Sequence, residues 1–118
     1  MTEYATLEEL SAALREFVRE LEWERFHSPK NLSMALVVEA AELAEHFQWL
    51  EGGESANLDA ETRREVSHEL ADVLAYLVRL ADRLDVDLLE AVSDKMRINA
   101  EKYPADRVRG SARKYNRY

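Results

Sequence analysis

Residues 59–84, DAETRREVSHELADVLAYLVRLADRL, place apolar side chains at Val66, Leu70, Val73, Leu77, Leu80 and Leu84. That alternating three-and-four spacing marks one face of an α-helix. Asp59 stands where a side-chain oxygen caps a first turn, so the spacing predicts a helix over about Ala60–Leu84. Ala71, Ala75 and Val78 fall on the opposite side at about 100° per residue. A helix apolar on two faces is expected to be buried between subunits, which predicts a homo-oligomer.

The same reasoning extends outward. Asp87 and Glu90 make a capping box, Leu88, Val92, Met96 and Ala100 carry the stripe, and Tyr103-Pro104 stops the next helix. Upstream, Ser28-Pro29 opens a helix and Gly52-Gly53 ends it, giving about Pro29–Leu50. The first helix, Leu7–Glu22, starts at the capping box Thr6/Glu9 and carries Leu7, Leu10, Leu14, Phe17, Val18 and Leu21. No strand alternation persists and the connections are short, so the fold class is all-α, a four-helix bundle over residues 1–104. From residue 105 the chain loses its apolar period. Residues 106–118 hold five of the sixteen Lys and Arg, a basic C-terminal tail that is either suited to an anionic partner or simply a solvated terminus.

The 118 residues suit one domain with one core. Twenty-four Asp and Glu against sixteen Lys and Arg leave a net charge of −8, which repels polymeric DNA or RNA. Small phosphates stay admissible, because a metal ion inverts the local charge. The absence of Cys excludes disulfides, a thiolate nucleophile and Cys-based metal sites. Met1-Thr2-Glu3-Tyr4 is not the start of a secretion signal, and no window of eighteen apolar residues follows. The expectation is a soluble, cytoplasmic protein with no membrane partner.

Two carboxylate pairs then come forward, Glu39-Ala40-Ala41-Glu42 and Glu69-Leu70-Ala71-Asp72. The i, i+3 spacing stacks each pair on one side of its helix. Glu39 interrupts the apolar series Leu32, Leu36, Leu43 and Leu50, where an uncompensated charge costs several kcal/mol. Glu69 and Asp72 line the edge of their helix's stripe, so two facing helices would present four carboxylates across a cleft. The alternative is a set of solvated acids in an acidic protein. Oxygen-only ligands suit a hard cation, Mg2+ by default and Mn2+ next. A ferritin-type di-iron bundle uses Glu-x-x-His motifs. Glu65-Val66-Ser67-His68 is taken as its one candidate, and His46 and His68 are read as surface residues.

These residues resemble the MazG-like, all-α nucleoside triphosphate pyrophosphohydrolases. The likeness to their dCTP pyrophosphatase branch runs through Trp23-Glu24-Arg25-Phe26-His27-Ser28-Pro29-Lys30-Asn31-Leu32 and Glu42-Leu43-Ala44-Glu45-His46-Phe47-Gln48-Trp49. It continues through Asp72-Val73-Leu74-Ala75-Tyr76-Leu77, Lys95-Met96-x-x-Asn99, Lys102-Tyr103-Pro104 and Arg109-Gly110-Ser111-Ala112-x-Lys114-Tyr115. The resemblance implies cleavage of a (deoxy)nucleoside triphosphate between the α and β phosphates, with Mg2+ held by Glu39, Glu42, Glu69 and Asp72. It further implies Trp23, His27 and Trp49 around the base, Tyr76 near the sugar, Lys95 and Asn99 on the phosphates, and a tetramer built from dimers. Stacking on aromatic faces is worth about 1–3 kcal/mol per base. Lys95 and Asn99, at i, i+4, would project a cation and an amide together. Ala40-Ala41 stands where many relatives carry Gly, and the short link Glu51-Gly52-Gly53-Glu54 adjoins Trp49. The functions weighed are pool sanitation acting on dCTP and modified cytosine deoxynucleotides, a related enzyme with dUTP or broad base preference, and a non-catalytic nucleotide-binding helical oligomer.

Overall fold

The computed structural model describes residues 2–105 and 109–110. These divide into two compact units between Asp85 and Val86. The first holds α1 (Leu7–Glu20), a 3-10 turn at Glu24–Phe26, α2 (Pro29–Glu45), the four-residue α3 (Gly52–Ser55) and α4 (Ala60–Arg83). The second holds α5 (Leu88–Lys102). Among the described residues there is no strand, and no helix is long and apolar enough to cross a membrane. The fold is all-α. The expected basic tail, residues 105 and 109–110 apart, lies outside the described residues.

Each long helix starts where its cap was read. The Thr6, Ser28, Asp59 and Asp87 side chains accept from the backbone N–H three residues on, at Glu9, Asn31, Thr62 and Glu90. These bonds satisfy amide groups that a first turn leaves unpaired. At α1 the reciprocal bond of the capping box is displaced by one residue, because the Glu9 carboxylate accepts from Ala5 N–H at 2.8 Å.

The ends differ more. α2 stops at Glu45, short of the expected Leu50, as its last turn tightens: His46 N–H bonds Leu43 C=O and Phe47 N–H bonds Ala44 C=O. Gly52, read as a stop, instead begins α3, where its carbonyl accepts from the Ser55 hydroxyl at 2.6 Å. α1 closes in a Schellman turn, with Trp23 N–H on Val18 C=O and Glu22 N–H on Arg19 C=O, both at 3.0 Å. Glu22 takes the left-handed position, φ 56°, which glycine usually fills.

α4 packs against both α2 and α1, with Val18, Leu32, Val66, Val78 and Ala81 enclosed. This corrects part of each face read for α4. Val78, expected at a subunit interface, is 3% exposed within the single chain, whereas Leu70 of the expected core stripe is 52% exposed. Val66, Val73 and Leu80 of the expected stripe are buried or half-buried, Leu77 and Leu84 are not, and Ala71 of the second face stays exposed. Leu74 and Leu77 on α4, and Met34, Val37 and Val38 on α2, also stay exposed.

An ion-pair network fastens α1 to α4. Asp82 accepts two bonds from the Arg15 guanidinium, at 2.7 and 3.1 Å, and one from Arg79 Nη1 at 2.9 Å. Arg79 is 4% exposed and its Nε has no partner. The hydrogen bond from Arg15 holds the Asp82 carboxyl below its usual range. The network's contribution is therefore present above the ordinary carboxylate value and lost as pH falls through the lower folded one. Asp82→Ala strands a buried guanidinium and should cost about 3 kcal/mol in urea unfolding at pH 7. Arg15→Ala leaves Arg79 its partner and should cost clearly less.

Candidate functional site

The two carboxylate pairs lie on the two most extensively packed helices, Glu39 and Glu42 on α2, Glu69 and Asp72 on α4. One ligand oxygen from each of Glu39, Glu69 and Asp72 comes within 4.8 Å of the other two. Glu39 and Glu69 are half-buried, and each has an enclosed oxygen, Oε2, with no hydrogen-bond partner. Glu42 is half-buried and outside that trio, yet close enough to act on Glu39.

Glu39 bears the cost of this arrangement. Burial raises its pKa most, followed by the hydrogen bonds a protonated Glu39 makes to Glu69 and Glu42, then repulsion from Glu42 and Asp72, to about 7. Enclosed acceptor oxygens without donors, in an all-oxygen set, fit a hard divalent cation such as Mg2+ or Mn2+.

The histidines need two corrections. His46, read as a surface residue, is half-buried, with its Nδ1 3.8 Å from the Glu65 carboxylate of α4. By sequence Glu24 stands three residues before His27, a second Glu-x-x-His beside Glu65 and His68. Glu24 falls on the 3-10 turn, and neither motif joins a group able to hold a metal among the described residues. His68 is exposed, as expected.

Trp23 and His27 meet on the connection between α1 and α2, with ring centroids 6.4 Å apart and planes inclined by 50°. Phe17 on α1 meets Trp23 in a T-shaped contact, ring centroids 6.4 Å apart. His27 Nδ1 is enclosed without a partner. Burial, then the charges of Arg79 and Arg83, hold its pKa below the ordinary imidazole value. Tyr76, one turn beyond Asp72 on α4, is half-buried. Trp49 lies past the end of α2, is 88% exposed, and makes no ring contact with this pair. Lys95 and Asn99 sit on α5 in the second unit, Lys95 exposed and Asn99 half-buried.

The sequence reading missed Arg79, Asp82 and Arg83. Its available signal was an arginine, Arg79, set in the apolar run Leu77-Val78-x-Leu80-Ala81. With Asp72 and Tyr76, Arg79 and Arg83 follow a four-three-four spacing along one row of α4.

Known proteins resemble the chain in sequence and in fold. A family model described as the MazG-like family matches residues 34–117. The chain is 49% identical over 112 residues to dCTP pyrophosphatase 1 of Homo sapiens and 50% identical over 113 residues to that of Mus musculus. In each case 93% of this chain is covered, and it spans 66% of the length of the relative. A crystal structure of a pyrophosphatase from Archaeoglobus fulgidus superposes with a TM-score of 0.80 at 40% identity, covering 88% of this chain and 97% of the other.

The Glu39 shift sets a pH dependence for the metal-free protein. Its folded pKa, about 7, exceeds the ordinary 4.5, so the folded state holds an extra proton between those values. This favours folding at pH 4.5 and fades as pH rises through 7. In EDTA, the urea midpoint of the wild type should fall between pH 5.5 and 8 relative to that of Glu39→Gln, and a divalent cation should restore it at pH 8.

Proposed function

The chain belongs to the MazG-like family, and on that premise we propose that it hydrolyses (deoxy)nucleoside triphosphates to the monophosphate and pyrophosphate, acting on dCTP and modified cytosine deoxynucleotides. The observation that carries this reading is the Glu39, Glu69 and Asp72 oxygens gathered within 4.8 Å between α2 and α4, in a chain half identical to mammalian dCTP pyrophosphatases. The role that fits is sanitation of the nucleotide pool, in a soluble cytoplasmic protein.

Glu39, Glu42, Glu69 and Asp72 would hold the Mg2+, with Mn2+ as a substitute. When bound, the ion supplies charge neutralisation for the phosphates, the main requirement of phosphoryl chemistry. The protein residues do the rest. The partnerless oxygens of Glu39 and Glu69 are acceptors held in place before any ligand arrives. Glu39 would have to give up its proton to hold the ion, so occupancy would be steeper with pH near 7. A carboxylate oxygen not spent on the ion takes the proton of the attacking water as the α–β anhydride bond breaks and pyrophosphate leaves. Trp23 and His27 supply the base-facing wall and Tyr76 the sugar-facing side. Trp49 needs a surface to meet before it can stack, and its exposure favours a second reading in which base preference is broad.

The exposed apolar residues of α2 and α4 support a homo-oligomer. Light scattering at micromolar concentration should give a dimer or tetramer, against a stable active monomer if those faces have no partner.

The central test is a panel of NTPs and dNTPs with Mg2+, scoring pyrophosphate against orthophosphate. Pyrophosphate with dCTP preferred is the expected result, while orthophosphate as first product contradicts α–β cleavage. Glu42→Gln and Asp72→Asn keep shape but remove a ligand charge, so each should lower kcat at least a hundredfold with the helical circular dichroism intact.

A further inference from the structure

The connection bearing Trp23 and His27 has one cross-chain tether among the hydrogen bonds of the described residues: Arg83 Nε on α4 donates to the His27 carbonyl at 3.1 Å, across 56 positions of sequence. The segment needs an anchor. It leaves α1 through the left-handed Glu22 and passes a single 3-10 turn, and His27 itself has an irregular backbone, φ −100° and ψ 49°. Arg83 is also the far end of the row Asp72, Tyr76, Arg79, Arg83. At 1.5 Å per residue, its Cα stands about 16 Å along α4 from that of Asp72. The helix that carries half of the carboxylate cluster thus also fastens the aromatic wall. The neighbouring network points the same way, since Arg79 is bonded to Asp82, and Asp82 to Arg15 of α1. Both the helix before the wall and the wall itself are held by the last turns of α4.

We propose that Arg83 is a positioning residue for base recognition, tying the Trp23–His27 wall to α4 and so setting its distance from the carboxylates of Glu69 and Asp72. This rests on the reading of the site as a nucleotide site. Arg83 touches no reacting atom in this scheme and acts through His27. Losing the tether leaves the carboxylates intact and lets the wall drift, so it weakens ground-state binding of the base without slowing the phosphoryl step.

The experiment is a double-mutant cycle of Arg83→Ala and His27→Ala with Arg83→Lys added, read as kcat and KM for dCTP and for the base-free 2-deoxyribose 5-triphosphate. Arg83→Ala should raise KM for dCTP three- to tenfold, the range for one hydrogen bond, with kcat changed less than about twofold. It should leave KM for the base-free substrate unchanged, and Arg83→Lys should recover part of the loss. In the His27→Ala background, which keeps the carbonyl and Trp23 but removes half of the wall, the further effect should be smaller. Arg15→Ala, which loosens α1 from α4 but leaves the His27 carbonyl bonded, should lower the urea midpoint and raise KM for dCTP less than Arg83→Ala does. An unchanged KM in Arg83→Ala, an equal loss on the base-free substrate, or additivity with His27→Ala overturns the proposal while the activity stands. Should Arg83→Ala fail to fold by circular dichroism, Arg83→Met, which keeps the aliphatic stem, is judged by the same criteria. A wild type that turns over no nucleotide refutes the enzymatic reading instead. The cycle is then read by calorimetric binding of dCTP with Ca2+, where an affinity unchanged by Arg83→Ala, or no binding by the wild type, overturns the tether.

Discussion

Carboxylates held together and half out of water, with no donor to answer them, are the constraint around which this chain is organised. Like charges at such range disfavour their shared ionised state, and the protein meets that cost at Glu39, which keeps a proton up to about pH 7. Packing elsewhere has to offset the strain. The extensive contact between α2 and α4, the enclosed Leu32 and Val66, and the capped starts of both helices keep the acids facing one another when repulsion would part them. A site built this way is stable in proportion to how well it is neutralised. Folding strength and ligand affinity are thereby linked.

Much of the architecture was legible because its determinants are local. Thr6, Ser28, Asp59 and Asp87 each bond a backbone amide three residues away, so a cap can be recognised without knowing the rest of the fold. The trio of Glu39, Glu69 and Asp72 was legible for a related reason. An i, i+3 pair of acids in an apolar seam signals its own need for a counter-charge. What failed to show was anything that depends on register between helices. His46 and Glu65 pair only because the end of α2 comes alongside α4, and nothing around either residue says so. Arg79 sat in plain sight within an apolar run, but Arg15, which joins it through their shared partner Asp82, belongs to α1.

The misreadings have physical causes of the same kind. Periodicity places a residue on a face, and it does not say how many neighbours that face has. α4 meets both α1 and α2, so Val78 went inside while Leu70 stayed out. The early end of α2 follows from a last turn that tightens to three-residue bonds, a choice that Phe47, Gln48 and Trp49 do not announce. Trp49 was recognised as an aromatic residue beside the site, and its 88% exposure shows how little residue type says about neighbours.

The left-handed turn at Glu22 sets stability against rigidity of the wall. Natural helices that end this way generally use glycine, and a side chain there costs about 1 kcal/mol or more of strain. A stability screen would favour replacing Glu22 with glycine, which relieves that strain. The same change would free the backbone just where it launches Trp23 toward His27, so robustness gained there would be drawn from rigidity in the wall. Selection for heat tolerance and selection for turnover would pull this one position in opposite directions.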